Sequence, residues 1–175
     1  NDRRFGGSGG NVAIASAYFP EIAIHEMGHL IASLADEYVD GSIEGANGFS
    51  LIEGQYANVS TLNDPVLVPW SHWIEDVNNY PTQPGELGVG IFEGAYYKTT
   101  ELYRATDTSR MRSNLEHFGP INGEQWVLSL YSEIGAVLEF SPVLRRLELE
   151  SGKETTFSVK TLFDNSLQNI EWFFI

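Results

Sequence analysis

The stretch Ala23–Tyr38, AIHEMGHLIASLADEY, sets two histidines four residues apart with a glutamate directly after the first. Ile24, Met27, Ile31 and Leu34 recur at spacings of three and four, the pattern of a helix with one apolar face. Pro20 fits the position just ahead of such a helix or in its first turn. On a helix, side chains four apart point the same way, so His25 and His29 can grip one ion. Glu26 lies about a quarter turn off that face. It is badly placed as a ligand but well placed to reach a water on the metal. Zinc held by two imidazoles lowers the pKa of its water, and a neighbouring carboxylate takes the proton as that water attacks an amide carbonyl. The same Glu26 can then protonate the leaving amine.

Two ligands do not complete a catalytic zinc site, which wants three protein ligands and an open position. The pattern H-E-x-x-H-x-x-G-x-x-H fails here, because Ala32 and Ala35 stand where it needs Gly and a third ligand. Asp36 is the first oxygen donor past the apolar stripe. In an unbroken helix it would lie ~10.5 Å along the axis from His29, too far to share an ion. The helix is therefore expected to break after about Leu34 so that Asp36 swings back as third ligand. Glu37 and Glu93 are the alternatives, and Asp36 and Glu37 could instead orient the histidines from behind.

The 175 residues are 42% hydrophobic and 19% charged, with a formal net charge of −14, so the chain reads as globular. An acidic chain without a basic stripe is not expected to bind nucleic acid. With no cysteine, disulfides and thiolate ligands are excluded. No apolar run is long enough to span a bilayer. The opening NDRRFGGSGG has neither an initiator Met nor a signal peptide, as expected of a fragment of a longer precursor. Its Gly-rich run is expected to be flexible, and it lacks the Lys-Ser/Thr ending of a phosphate loop.

Elsewhere NVAIASA reads as a strand, and Val39–Asn63 as loop with one short strand. PVLVPWSHWIED reads as a short helix or an apolar wedge, and VGIFEGAYYKTTELYRA as a hairpin. TSRMRSNLEHFGPING reads as a turn segment. A second helix is expected from Trp126, Leu130, Ile134 and Leu138, with Asn122 as its cap. Beyond Ser141–Pro142 the pattern becomes β-rich, and a domain boundary is placed there: 1–140 and 141–175. Trp70, Trp73, Tyr96 and Tyr97 read as core or cleft wall, and Tyr103 or His117 as candidates to stabilise an oxyanion. Asn58-Val59-Ser60 matches a glycosylation acceptor but reads as plain loop. DEYVDGSIEG fails the calcium-loop pattern, since Tyr38 takes its third position.

HEMGHLIASLADEY resembles the H-E-x-G-H-x-x-x-x-L-x-D-E-Y signature of the M64 metallopeptidases, the IgA peptidase family. GGSGGNVAIAS is similar to the Gly-rich strand before that family's active-site helix, and VPWSHWIED to its Trp-containing segment. IFEGAYYKTTELYRATDTSRMRSNL and NGEQWVLSLY extend the resemblance over roughly Phe5 to Ala136. The resemblance implies an α/β (α+β) chain: a metzincin-like zinc peptidase catalytic domain, N-terminally incomplete, followed by the start of a β-sandwich, Ig-like module. It implies an extracellular zinc endopeptidase acting on a protein or peptide substrate laid along the Gly-rich strand. It makes His25 and His29 zinc ligands, Asp36 the third, Glu26 the general base, and Met111 the residue packed beneath the metal. The alternative reading is a metal-stabilised extracellular binding or adhesion domain without proteolytic activity. The intact Glu26 argues for the enzyme, because a structural site has no use for a base there.

Overall fold

The computed structural model describes residues 5–44, 51–75, 80–135, 137–143, 148, 151–161 and 171. They form an α+β arrangement of small antiparallel sheets and three helices: β1 (Gly6–Gly9), β2 (Val12–Ala15), α1 (Pro20–Ala32), α2 (Gly41–Glu44), β3 (Val59–Ser60), β4 (Phe92–Ala95), β5 (Lys98–Arg104), α3 (Gly119–Ile134), β6 (Val137–Ser141) and β7 (Ser158–Thr161). Contacts divide the chain into two units, Asn1–Ser129 and Leu130–Ile175.

In the first unit the Gly-rich opening is not a flexible lead. Gly6–Gly9 pair in antiparallel register with Val12–Ala15, Gly6 opposite Ala15 and Gly9 opposite Val12. Helix α1 starts at Pro20, whose fixed φ suits the first turn, and Glu21 there complements the helix dipole. It ends at Ala32, two residues before the expected break. Ser33 takes a left-handed φ of 50°, and the amides of Ser33 and Leu34 both close on the Gly28 carbonyl. The chain leaves the helix in a reversed direction at that point.

The burial of α1 corrects the periodicity reading. Ile24 and Met27 are 43% and 47% exposed, whereas Ile22, His25, Glu26, Gly28 and Ala32 are buried. The face turned inward is the polar one that carries the histidines, because the Met111 turn packs there. Ala32, Leu34 and Met111 form one apolar cluster, joined by Phe118 and Trp126.

The hairpin expected from VGIFEGAYYKTTELYRA is β4–β5, and β3 adds to its other side to give the order β3-β5-β4. Tyr96 and Tyr97 form its two-residue turn, Ala95 being paired with Lys98. Gly94 interrupts the register at φ 93°. Arg104 holds this bulge: Nη1 donates to the carbonyls of Glu93 at 2.7 Å and Gly94 at 2.6 Å, and Nη2 pairs with Asp107 Oδ1 at 3.0 Å. The WSHW segment is a single 3-10 turn, Ser71–Trp73. Trp70 before it is core, packed with Val68, Ile91, Ala105 and Ile121, and its indole N–H reaches the Gly90 carbonyl at 2.7 Å. Trp73 is 42% exposed.

Helix α3 begins at Gly119, so Asn122 lies in its first turn and is not the cap. Its amide donates to the Phe118 carbonyl at 2.9 Å. The helix also stops at Ile134. Leu138, the last position of the expected stripe, belongs to β6 in the second unit, where β6 and β7 pair antiparallel. Most of residues 144–175 lie outside the described residues. Among the described residues no helix is long and apolar enough to cross a membrane.

Candidate metal centre

The centre is assembled by α1, by the reversal that follows it, and by the tip of the β4–β5 hairpin. His25 and His29 stand one turn apart with rings edge to face, centroids 4.8 Å apart. Both rings are anchored from behind. His25 Nδ1 donates to the Arg110 carbonyl at 2.8 Å and His29 Nδ1 to the Leu34 carbonyl at 2.7 Å. A carbonyl only accepts, so the Nδ1 proton is fixed and each neutral ring turns an Nε2 lone pair forward. Those two Nε2 atoms are 3.1 Å apart. Asp36 Oδ1 completes the triangle, 2.9 Å from His25 Nε2 and 3.2 Å from His29 Nε2.

Three lone pairs aimed at one another repel unless a cation lies among them. Ligand atoms around one tetrahedral zinc, with bonds of ~2.0–2.1 Å, are separated by about 3.3 Å, close to the distances found here. Two imidazoles and one carboxylate are a donor set suited to a borderline ion such as zinc and unsuited to calcium or magnesium, which favour oxygen shells. The residues therefore fit a metal, and His25, His29 and Asp36 form a group able to hold one.

The electrostatics follow from the same contacts. Without an ion, a proton on Nε2 can take its place opposite Asp36: burial would raise the Asp36 carboxyl, but hydrogen bonds from the then protonated His25 and His29 and from Tyr97 hold it well below the usual carboxylate range. Burial would lower His29, yet the Asp36 carboxylate beside it leaves it raised. Glu26 opens on the same cleft, of about 390 Å³. Burial is the main reason its carboxyl is raised, with the two histidines pulling the other way and a Ser8 hydrogen bond helping them. Gly6 lies directly against it: a Cβ at that position would come within 2.6 Å of Glu26 Oε1 and 2.3 Å of Ile22 Cγ2. The Gly-rich strand thus covers Glu26 at a distance only glycine permits.

The structure does not bring Glu37 or Glu93 to the histidines. Glu37 is 1% exposed and turns the other way, its carboxylate receiving Asn58 Nδ2 at 2.9 Å, Asn122 Nδ2 at 3.0 Å and Ser109 Oγ at 2.7 Å. Its main-chain amide donates to the Met111 carbonyl at 2.8 Å, which ties the Asp36 segment to the Met111 turn. Glu93 is exposed and accepts the Glu101 amide at 3.1 Å. Met111 is fully buried under α1, its Sδ 2.7 Å from where a Cβ on Gly28 would sit.

Neither Tyr103 nor His117 lines the cleft. Tyr38, Tyr56, Tyr96 and Tyr97 do. The Tyr97 hydroxyl donates to Asp36 Oδ2, and burial followed by Asp36 raises its pKa. Tyr38 is pushed up to about 12, chiefly by burial. These hydroxyls are protonated donors at neutral pH. The sequence reading treated Tyr96 and Tyr97 as wall and missed the contact to Asp36. The only signal available was two tyrosines where a hairpin turn wants Asn or Gly.

Comparison with known families matches residues 1–87 to the model described as IgA Peptidase M64. The resemblance carried by the HEMGHLIASLADEY signature is thereby borne out, and the match supports a peptidase. No curated protein matches the chain.

Proposed function

We propose, for a chain whose residues 1–87 belong to the IgA Peptidase M64 family, that it is a zinc-dependent endopeptidase cutting a protein substrate in the cleft between the Gly-rich strand β1 and the tyrosine wall. The observation that carries this reading is the convergence of His25 Nε2, His29 Nε2 and Asp36 Oδ1 within 2.9–3.2 Å of one another, with Glu26 lining the same cleft. Residues 1–140 are then part of a metzincin-like catalytic domain, and 141–175 the start of an Ig-like module. The proposed location is extracellular.

His25, His29 and Asp36 hold the ion. Bound there, zinc supplies a Lewis acid for the scissile carbonyl and lowers the pKa of water to about 7. Glu26 removes a proton from the attacking water and returns it to the leaving amine. Gly6 and Ser8 hold the Glu26 side chain against the cleft, and β1 offers main-chain groups along which an extended peptide can pair.

The test is metal analysis followed by digestion of a peptide library. The protein is expected to take up about one zinc per chain, as a three-ligand site of this kind does. Glu26→Gln is expected to keep the zinc and lose on the order of 10²–10⁴ in turnover, the usual contribution of a general base. His29→Ala and Asp36→Ala lose both. A Glu26→Gln protein as active as the parent would remove Glu26 as the base; a parent that binds zinc and cuts nothing would favour the adhesion-domain reading.

A further inference from the structure

The turn that joins β4 to β5 is built against the preference of its own sequence. A two-residue hairpin connection with φ positive at both central residues selects Asn-Gly or Asp-Gly. Here Tyr96 and Tyr97 occupy it at φ 48° and 70°. Bulky residues are outliers in that region, and they persist where the surroundings over-determine them, a condition met most often at functional sites. Three main-chain hydrogen bonds supply the constraint, all to the segment that bears Asp36. Tyr96 N donates to the Asp36 carbonyl at 3.0 Å, Tyr97 N to the Tyr38 carbonyl at 2.9 Å, and Asp40 N to the Tyr97 carbonyl at 3.0 Å. The Tyr97 ring is packed edge to face on Tyr38, centroids 5.2 Å apart, and tilted against Tyr96 at 5.4 Å. Its hydroxyl shares a hydrogen bond with the Tyr38 hydroxyl and donates to Asp36 Oδ2, while Asp36 Oδ1 faces the histidines.

We propose that Tyr97 is the positioning residue of the metal site: its hydroxyl holds one oxygen of Asp36 so that only the other is offered to the ion. This rests on the reading of His25, His29 and Asp36 as a metal centre. An aspartate free to rotate can bind through either oxygen or through both, which consumes the position a substrate needs. With Oδ2 engaged, Asp36 is a one-oxygen ligand of fixed orientation, and the site keeps its opening. The strained turn is the means of bringing a rigid phenol to the carboxylate oxygen that does not face the histidines.

The test compares the parent chain, Tyr97→Phe, and the double variant Tyr96→Asn/Tyr97→Gly, titrating zinc against a competing chelator and recording the visible spectrum with cobalt in place of zinc. Tyr97→Phe is expected to weaken zinc binding about 10–100-fold, the usual cost of losing a partner behind a ligand. Its cobalt bands should also change, because Asp36 can then bind through both oxygens. The double variant gives the turn the residues it prefers and is expected to bind zinc as poorly as Tyr97→Phe. If Tyr97 served the turn alone, that variant would restore affinity, and the proposal fails. It fails equally if Tyr97→Phe binds zinc within about twofold of the parent with an unchanged cobalt spectrum, since a lost partner should cost at least tenfold. Should Tyr97→Phe not fold, the double variant decides. A parent that binds no zinc overturns the metal-centre reading and this inference together; a parent that binds zinc beside two indifferent variants overturns this inference alone.

Discussion

Gly28→Ala probes the layer beneath the two histidines. In an unencumbered helix interior the exchange stabilises by about 0.8–1.0 kcal/mol, because alanine loses less backbone freedom on folding. Here the new Cβ would meet Met111 Sδ at 2.7 Å and Phe118 Cε1 at 3.1 Å. A thioether is normally a forgiving neighbour, but Met111 has no exposed surface and so no open side into which to swing. Overpacking of this kind costs about 1–3 kcal/mol. Subtracting the propensity gain leaves a net loss of about 0–2 kcal/mol. The site should register the strain as well, because Arg110, whose carbonyl orients His25, directly precedes Met111. Zinc affinity is expected to fall along with stability. Urea unfolding of the metal-free parent, Gly28→Ala, Met111→Ala and the double variant separates the terms. Met111→Ala alone opens a cavity and should cost about 2–5 kcal/mol. In the double variant the added methyl group refills part of that space, so the pair should cost about 1 kcal/mol less than the sum. If Gly28→Ala is more stable than the parent by the full propensity gain, and the cycle is additive within about 0.5 kcal/mol, the close approach is not a constraint and the reasoning is wrong.

Two further perturbations test the frame around the site. Glu37→Ala removes the acceptor for Asn58 Nδ2, Asn122 Nδ2 and Ser109 Oγ, and at about 1–3 kcal/mol per stranded buried donor it should cost at least ~3 kcal/mol on urea unfolding; Glu37→Gln, which still accepts both asparagine amides, should cost much less. Burial alone would raise the Glu53 carboxyl, but the Thr61 hydroxyl and amide and the Ser60 hydroxyl hold it below the ordinary value of 4.5. The sign follows directly: a depressed carboxylate adds stability above its unfolded pKa and loses it as pH falls through the lower folded value. The thermal midpoint of the parent should therefore fall toward that of Glu53→Gln as pH drops below 4.5, and a gap between the two that does not change from neutral to acid would contradict it.

The make-up of the candidate site was legible because it is local. A spacing of four on a helix places two imidazoles on one side whatever surrounds them, and a glutamate next in sequence must lie beside that side. The distance argument that an unbroken helix strands Asp36 also needed no structure, only the helical rise. The hairpin over VGIFEGAYYKTTELYRA likewise followed from local alternation; past Ser141 the described residues hold one strand, β7. Errors came where two patterns competed for the same residues. The Ile24/Met27 stripe has the period of a buried face, yet the opposite face is the one enclosed, because Gly28 lets Met111 come closer to α1 than any side chain would. The Trp126–Leu130–Ile134 stripe ran on in register to Leu138, which the chain places in β6.

The sequence by itself determined the donor types, the helix that carries two of them, and the need for a chain reversal before a third could arrive. Only the tertiary structure decided which carboxylate came. Asp36 and Glu37 are neighbours, and nothing in their order says which faces the histidines. That choice is made by Asn58, Ser109 and Asn122, which surround Glu37 with donors, and by Tyr97, which meets Asp36 from a hairpin sixty-one residues away. The physical reason is that ligand spacing on a helix is fixed by covalent geometry. The orientation of a side chain after a reversal is fixed by hydrogen bonds to segments distant in sequence, and their positions exist only once the fold has formed.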